Sequence, residues 1–379
     1  MISMFSNHFF NWTEQLKDSG FEIHWIDVFD SNTFVKKIDF VHQITGWRNR
    51  WDYPGRYWVK NRATMVDKAI NFLNQRKLSN VVAEKIQEIK PDVVQSFVLF
   101  SGAFPILKVM KKNPGIKWIY SAWGNDLYFM QNIPEELEKI KATLPYFDYM
   151  FADCDRDGQL ARNLGFKGTY LGTFPGGGGY NSEFWNESFI PHDSREVILI
   201  KGYQGMLGRA YFIMEALGKI KEVLSPYRII VFACDPDLEK SVEELGLSKW
   251  NNFQVLGKIP HRKVLKLMGE SKIYIGNCIS DGMPNTLLEA IVMGAFPIQS
   301  NPGGATAELI EHGKNGYLIE DPENAEEIAC YIRRAVENRN FVREAVQYSN
   351  QNLRPYLERN FIKEKVLKAY HQVETQLQQ

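Results

Sequence analysis

Two doubly wound α/β domains, each built on a parallel sheet, are predicted by three observations. The chain has 379 residues, which suits two domains at about 100–200 residues each. Short apolar runs alternate with helix-period segments along almost its whole length, the pattern of repeated strand–helix units. Near the midpoint, Gly172–Phe184 breaks that pattern with four consecutive glycines, Gly176–Gly179. Such a run has no place inside a helix or strand, because glycine loses the most conformational freedom on ordering. A connection between domains is expected there, acting as a hinge, a surface turn or a direct ligand contact.

Several strand candidates are apolar on both alternating faces, as in a sheet covered by helices on both sides. In order they are Phe21–Val28, Val93–Phe100, Trp118–Trp123, Tyr149–Ala152, Val197–Ile200, Arg228–Cys234, Ile273–Cys278 and Ala295–Gln299. Before the first of these lies a very short strand that looks clipped. The intervening stretches Val81–Lys90, Tyr211–Leu224, His261–Ser271 and Thr286–Met293 carry helical spacing, as does the tail from Phe341 to Gln379.

Composition excludes several classes. Lys+Arg and Asp+Glu both total 45, so the basic surplus of a dedicated nucleic-acid binder is absent. With 44% hydrophobic and 24% charged residues, the chain reads as globular and not disordered. No run approaches the roughly 18 apolar residues of a membrane span, and the first residues lack a basic region followed by an apolar stretch. The four cysteines (Cys154, Cys234, Cys278, Cys330) lie far apart. They are expected as reduced thiols, mostly small core residues, in a cytosolic protein. No histidine pair has metal-ligand spacing, so no structural metal is expected.

The strongest local signal runs from Ser280 to Gly294: Ser-Asp-Gly-Met-Pro-Asn-Thr-Leu-Leu-Glu-Ala-Ile-Val-Met-Gly. It follows a buried strand, opens a helix at Pro284 and stops it at Gly294. Free backbone N–H groups at that helix start would lie at the carboxyl edge of a sheet, where anions and nucleotides bind. Asp281 sits in the loop and Glu289 over a turn into the helix, carboxylates suited to accept hydrogen bonds from sugar and ribose hydroxyls. A loop acid capping the helix, with a solvent-facing acid on it, is the plainer reading.

With the segment that follows, Gly294-Ala-Phe-Pro-Ile-Gln-Ser-Asn-Pro-Gly-Gly-Ala-Thr-Ala-Glu-Leu-Ile-Glu-His-Gly-Lys-Asn-Gly-Tyr, this stretch resembles the family-4 retaining glycosyltransferases (glycosyl transferases group 1) of the GT-B fold. Asp281…Glu289 stands where that family has E-x7-E, with Asp in place of the first Glu. The resemblance takes in Gly303-Gly304, Glu308, Asn315-Gly316 and a helix around Ala325–Val336, and upstream Gly257-Lys-Ile-Pro-His261. It implies that Glu289 holds the ribose of a nucleotide sugar and Asp281 the donor sugar. Backbone amides over Gly282, Met283, Pro284, Asn285 and Thr286 would face the donor, with a hydroxyl from Thr286.

A second feature is a strand running into Gly202, Gly205 and Gly208 and then into a helix, which reads as a phosphate cradle. Lys201 and Arg209 flank it. The family places an Arg and a Lys about five residues apart here, on the diphosphate. Tyr203 and Gly208 occupy those places, so Lys201 and Arg209 are expected to take over the task. A helix-capping turn with solvated bases is the alternative. A nicotinamide-dependent oxidoreductase would use the same loop with Asp235 on a ribose, but G-x-G-x-x-G is missing.

The N-terminal half carries fainter echoes. Lys90-Pro-Asp-Val-Val and Trp118-Ile-Tyr-Ser-Ala-Trp-Gly-Asn-Asp126 resemble family strands. They mark Asp126 for sugar hydroxyls or a helix cap, with Trp123 where relatives carry His. Asn7 and His8 lie in the family's first loop. Asp153, Asp155, Asp157, Asp235 and Asp237 form D-x-D pairs that could hold a divalent ion; helix capping explains the first three better. The stretch Gly46–Arg62 holds three Trp, two Tyr and five bases against one acid. Trp and Tyr with bases suit an anionic acceptor or a membrane face, so peripheral membrane contact through Trp47–Arg62 is expected, an aromatic-packed loop being the other reading.

The resemblance therefore implies two Rossmann-like domains facing across a cleft: 1–180 for the acceptor, 181–354 for the donor, and a helix at 355–379 returning to the first. The expected enzyme moves a hexose or N-acetylhexosamine from a UDP- or GDP-linked donor to a glycan or lipid-linked acceptor. It would retain configuration, need no metal or cofactor, and serve bacterial surface polysaccharide assembly at the cytoplasmic side of the membrane. A sugar-nucleotide epimerase of the same fold and a non-catalytic nucleotide-sugar-binding partner of another transferase are the alternatives.

Overall fold

The computed structural model describes residues 1–52, 58–59, 62–181 and 190–378. Two compact units emerge. An N-terminal unit comprises Met1–Ala152, Gly158–Thr173 and Val366–Gln379; a C-terminal unit comprises Asp153–Asp157 and Phe174–Lys365.

The N-terminal unit is a seven-stranded, all-parallel sheet formed by β1 (Ile2–Ser3), β2 (His24–Asp27), β3 (His42–Ile44), β4 (Val93–Phe97), β5 (Lys117–Ala122), β6 (Tyr149–Ala152) and β7 (Thr169–Thr173). Their order is β3-β2-β1-β4-β5-β6-β7. The helices are α1 (Asn7–Glu14), α2 (Thr64–Asn74), α3 (Leu78–Ile89), α4 (Leu107–Lys112), α5 (Pro134–Thr143) and most of α6 (Asp155–Asn163). One face of the sheet packs on Val81, Val82, Ile106 and Met110. The other is aromatic: Phe9 lies 5.1 Å from Trp25 and 5.2 Å from Phe97, and Trp12 lies 5.3 Å from Phe151. Tyr370 closes this layer. Its hydroxyl accepts from Trp12 Nε1 (2.9 Å) and donates to Gln95 Oε1 (2.7 Å), so these three buried groups satisfy one another.

The C-terminal unit is a six-stranded parallel sheet of β8 (Val197–Lys201), β9 (Arg228–Phe232), β10 (Phe253–Val255), β11 (Ser271–Gly276), β12 (Phe296–Ser300) and β13 (Tyr317–Ile319), in the order β10-β9-β8-β11-β12-β13. Its helices are α7 (Ala210–Lys219), α8 (Pro236–Glu244), α9 (His261–Glu270), α10 (Asn285–Val292), α11 (Ala325–Glu337), α12 (Arg339–Asn352) and the start of α13 (Arg359–Leu377). The continuous apolar strands have a direct structural meaning. Ile198 and Ile200 enter one core with α7 and α11, while Val197 and Leu199 enter the opposite core with α9 and α10. Side chains alternate across a strand, so a strand covered on both sides must be apolar at every position.

Arg195, at 4% exposure, has no acid partner among the described residues. Its guanidinium donates to the carbonyls of Ile190, Ser271, Met293 and Gly294. Burial lowers its pKa to about 10, and the carbonyl end of α10 offsets that cost through the helix dipole. The charge therefore ties α10 to the start of β11.

Three short strands, β3, β10 and β13, fall outside the expected set, being three residues each. The five-residue β7 was also missed, because Thr169-Tyr-Leu-Gly-Thr lacks an apolar run. The glycine-rich segment starts beside the boundary between the two units. Gly176–Gly179 are buried in the C-terminal unit, and Tyr180 pairs with the turn before α13 through Tyr180 N–H to Leu357 O and Arg359 N–H to Tyr180 O, both 2.9 Å. A Cβ on Gly179 would lie 2.9 Å from Arg359 Cα, so close backbone approach demands glycine here. Residues 182–184 of that segment lie outside the described residues.

Candidate nucleotide-sugar site

In an open parallel sheet, the carboxyl ends of two strands whose connections leave in opposite directions form a natural crevice. In the C-terminal unit those strands are β8 and β11, which are hydrogen-bonded neighbours. The loop after β8 holds Gly202–Arg209, and the loop after β11 holds Asn277–Pro284. They are stitched together: Arg209 N–H donates to Asn277 O (3.1 Å), Ile279 N–H to Leu207 O (2.9 Å), and Asn277 Nδ2 to Arg209 O (3.0 Å). The fold thus brings the two strongest sequence signals into one place.

The glycine loop departs from the expected cradle. Asp235 Oδ2 already accepts the amides of Gln204 (2.8 Å) and Gly205 (3.1 Å), and Gly202 N–H donates to Phe232 O (2.8 Å). Gly202 and Gly205 therefore do not present their amides to a phosphate. The glycines answer to packing instead: a Cβ on Gly202 would meet Val231 Cγ1 at 2.7 Å, and one on Gly208 would meet Tyr203 O at 2.1 Å. Asp235, which a dinucleotide reading assigns to a ribose, is spent on holding the loop.

The two flanking cations differ. Arg209 Nε pairs with Glu323 Oε1 at 2.6 Å and its NH1 donates to Gly208 O at 2.7 Å. It is committed to shaping the loop. Lys201, at the end of β8, lies 5.6 Å over the Tyr203 ring, and among the described residues its ammonium has no carboxylate partner. Lys201 is the cation available to a ligand.

Helix α10 begins at Asn285, between the expected opening at Pro284 and the helical stretch expected from Thr286, with Pro284 as its N-cap and no side-chain cap. Among the described residues the amides of Met283 and Thr286 have no acceptor in the chain, whereas Gly282 N–H donates to Asp281 Oδ1 (2.9 Å). Two orphan donors at a helix start make an anion-binding corner. Thr286 Oγ1 accepts from the Tyr274 hydroxyl (2.9 Å), leaving its own proton to donate outward. Glu289, on the same helix, is 7% exposed, and its Oε1 meets His261 Nε2 at 2.6 Å. Tyr180 donates towards Asn285 O (3.3 Å) and Oδ1 (3.2 Å); burial and then the nearby Glu289 charge push its pKa well above the ordinary tyrosine value.

Arg156, which sequence reasoning did not single out, supports the Asp281 turn. It donates to Asp281 O (2.9 Å) and Pro302 O (2.6 Å) and pairs with Asp157 Oδ1 (2.9 Å). The carboxylate of Glu308 accepts the amides of Asp155 and Arg156, both at 2.7 Å, capping α6 from a distance. A Cβ on Gly282 would fall 2.3 Å from Asp153 Oδ1, so only glycine fits that turn. The missed signal was an Arg among three acids, with partners that lie far away in sequence.

Comparison with known proteins agrees with this geometry. Residues 190–352 match the family described as glycosyl transferases group 1. No curated protein matches the chain by sequence. Among solved structures, the chain is similar to sucrose-phosphate synthase from Thermosynechococcus elongatus, at 14% identity and TM-score 0.73 over 99% of both chains. It is similar to Anabaena HepE in complex with UDP-glucose, at 13% identity and TM-score 0.69 over 99% of this chain and 98% of that one. A glycosyltransferase from Rickettsia africae is 17% identical with TM-score 0.64, over 97% and 94%. These likenesses establish the GT-B fold.

Among the D-x-D carboxylates, Asp157 pairs with Arg156 and Asp235 accepts two loop amides. Asp153, Cys154 and Asp157 are buried with potential ligand atoms within 4.8 Å of one another. Yet the Arg156 guanidinium already lies against Asp157, and burial pushes the Cys154 thiol far up, keeping its proton on.

The N-terminal unit has its own strand-order reversal, between β1 and β4. His8 and Asn7 are exposed in the first turn of α1, just past the carboxyl end of β1. Asp126 is different from expectation. It is 4% exposed, both its oxygens accept Leu99 N–H (2.8 and 2.6 Å), and it also accepts from the Tyr120 hydroxyl. It is an anchor for the turn at Val98, whose φ of 63° is costly for a β-branched residue. Asp126→Asn is therefore expected to lower the melting temperature by several degrees, losing roughly 1.5–3 kcal/mol of charge-assisted hydrogen bonding; differential scanning calorimetry checks this. Trp47 is also corrected: it is buried and donates to Asp27 O (2.9 Å), so it belongs to the core and not to a membrane face. Arg56 lies outside the described residues.

Proposed function

We propose that this protein is a retaining glycosyltransferase, taking a hexose or N-acetylhexosamine from a UDP- or GDP-linked donor to a hydroxyl of a glycan or lipid-linked acceptor. The C-terminal unit holds the donor. Glu289 accepts the ribose hydroxyls, Asp281 and the Thr286 hydroxyl take the sugar, and the diphosphate lies against the Met283 and Thr286 amides with the Lys201 ammonium. The N-terminal unit, with His8 at its β1–β4 edge, receives the acceptor.

The observation that carries this reading is the stitching of the Lys201 loop to the Ser280 turn at the β8–β11 crevice. Chemistry follows from charge. As the glycosidic bond to phosphate breaks, negative charge grows on the diphosphate and positive charge on the sugar ring. A fixed ammonium and helix-start amides are stronger at the former than in the ground state, which is what lowers a barrier. The departing phosphate oxygen then takes the proton of the attacking hydroxyl on the same face.

The test is a thermal-shift screen of UDP- and GDP-sugars, followed by release of the nucleoside diphosphate with candidate acceptors. Selective stabilisation by one nucleotide sugar is expected through ligand linkage. No stabilisation by any of them, or conversion of the nucleotide sugar with no acceptor present, would refute transfer. Because Arg156 neutralises the Asp157 cluster, transfer is expected to continue unchanged in excess chelator; loss restored by Mn²⁺ or Mg²⁺ would contradict this.

A further inference from the structure

Glu22, His24 and His42 meet at the β3 edge of the N-terminal sheet, and the glycosyl-transfer reading uses none of them. Each offers one ligand atom, and these atoms lie within 4.8 Å of one another. His24 opens β2 and His42 opens β3. The two stand far apart in the chain, so no short ligand spacing marks them in the sequence.

Parallel pairing brings them together. The register sets His24 directly opposite His42, and Ile26 opposite Ile44. Ile26 and Ile44 pack into the core, and side chains two apart share one face of a strand. Both histidines therefore extend a face whose backbone is already fixed. Their rings stack 4.6 Å apart with 20° between the planes, which is about the spacing of neighbouring strands. Glu22 lies two residues before His24. Its Oε1 is 2.9 Å from His24 Nε2 and 3.8 Å from His42 Nε2. Among the described residues neither imidazole has another polar partner at its ring nitrogens.

Donor type and spacing select the ligand. Bonds of about 2.0–2.2 Å to a tetrahedral zinc ion hold the ligand atoms roughly 3.3–3.5 Å apart. The observed 2.9 and 3.8 Å fall on either side of that separation. The Glu22 and His42 side chains are 74% and 64% exposed, so rotation of free side chains closes the remaining gap. Imidazole nitrogens suit Zn²⁺ and its transition-metal neighbours, whereas Ca²⁺ and Mg²⁺ take oxygen ligands. A surface ion pair needs one imidazole; a second one aimed at the same carboxylate oxygen is what a metal requires.

We propose that Glu22, His24 and His42 bind a divalent transition-metal ion such as Zn²⁺, with water in the fourth place. Ligands from both strands clamp the three-residue edge strand β3 to β2. They also close the segment between the strands, where Asp30 and Asn32 hold left-handed backbone at φ 55° and 49°. The site lies at the amino ends of β2 and β3, and the β1–β4 crevice lies at the carboxyl ends of the same sheet. The ion thus braces the sheet and takes no part in transfer, so transfer that persists in chelator remains the expected result.

The test is calorimetric titration of the full chain, stripped with chelator and dialysed, with ZnCl₂, MgCl₂ and CaCl₂ in turn. One equivalent of Zn²⁺ per chain is expected to bind, and neither Mg²⁺ nor Ca²⁺. His42→Ala should weaken zinc binding at least tenfold, and Glu22→Ala with His42→Ala should abolish it. Both side chains are exposed, so the variants should keep the parent's far-ultraviolet circular dichroism and melting temperature without metal. Co²⁺ in place of zinc should give visible absorption bands that vanish in the double variant. His371→Ala, at an exposed histidine outside the cluster, should bind zinc as the parent does. No zinc binding, unchanged binding by the double variant, or an equal loss in His371→Ala would overturn the proposal.

Discussion

Lys201→Ala is expected to lower kcat by about two to three orders of magnitude, the size of effect found when one preorganised donor to developing charge is removed. The donor KM should change much less, because the ammonium matters most once the diphosphate is leaving. Its position explains the strength. It projects from the end of a buried strand, so its Cα is held by the sheet, and the Tyr203 ring lies 5.6 Å below the ammonium. Arg209→Ala is the informative contrast. With its guanidinium bound to Glu323 and to the Gly208 carbonyl, its loss should cost less in kcat and more in loop order. Steady-state kinetics on both variants separate the roles. Equal losses, or a Lys201→Ala enzyme with parental kcat, would refute the assignment.

Glu289→Gln is expected to weaken nucleotide-sugar binding by about 10- to 100-fold, since hydrogen bonds to a charged group contribute roughly 1.5–3 kcal/mol. The side chain is 7% exposed and sits on a helix fixed at its far end by Arg195, so its geometry is set before a ligand arrives. The amide keeps the shape but presents only one accepting oxygen where ribose offers two hydroxyls. Calorimetric titration with the donor found in the screen measures the loss. His261→Ala is the control: that histidine is 64% exposed at its side chain, so its loss should weaken donor binding less than loss of the Glu289 charge. A Glu289→Gln protein that binds donor as the parent does would remove ribose recognition from this residue.

The donor half was legible because its signals are local and dense. The strands β8, β9 and β11 are apolar at consecutive positions, and the loop from Asn277 to Pro284 joins strand to helix within eight residues. Such features depend on nearest neighbours in the chain, and the helices α9, α10 and α11 fell within a residue or two of their expected ends. Residues whose work is done by distant partners were opaque. Arg156 reads as one base among acids until Asp281 and Pro302 are placed beside it. Asp126 reads as a polar loop residue until Leu99 and Tyr120 surround it. Trp47 and Trp51 look alike in sequence, yet one is core and the other is 48% exposed.

What the amino-acid order alone determined is the class of fold, most of the strands and helices of the C-terminal unit, and the two loops that meet at the β8–β11 crevice. These follow from periodicity, turn residues and helix-start geometry, all short-range properties. Only the tertiary structure decided which of two equivalent-looking bases is available, and that the loop glycines serve packing and not phosphate. Each of those depends on which atoms from remote parts of the chain fill the same space, and a carboxylate or a carbonyl a hundred residues away settles a side chain's role as firmly as its neighbours do.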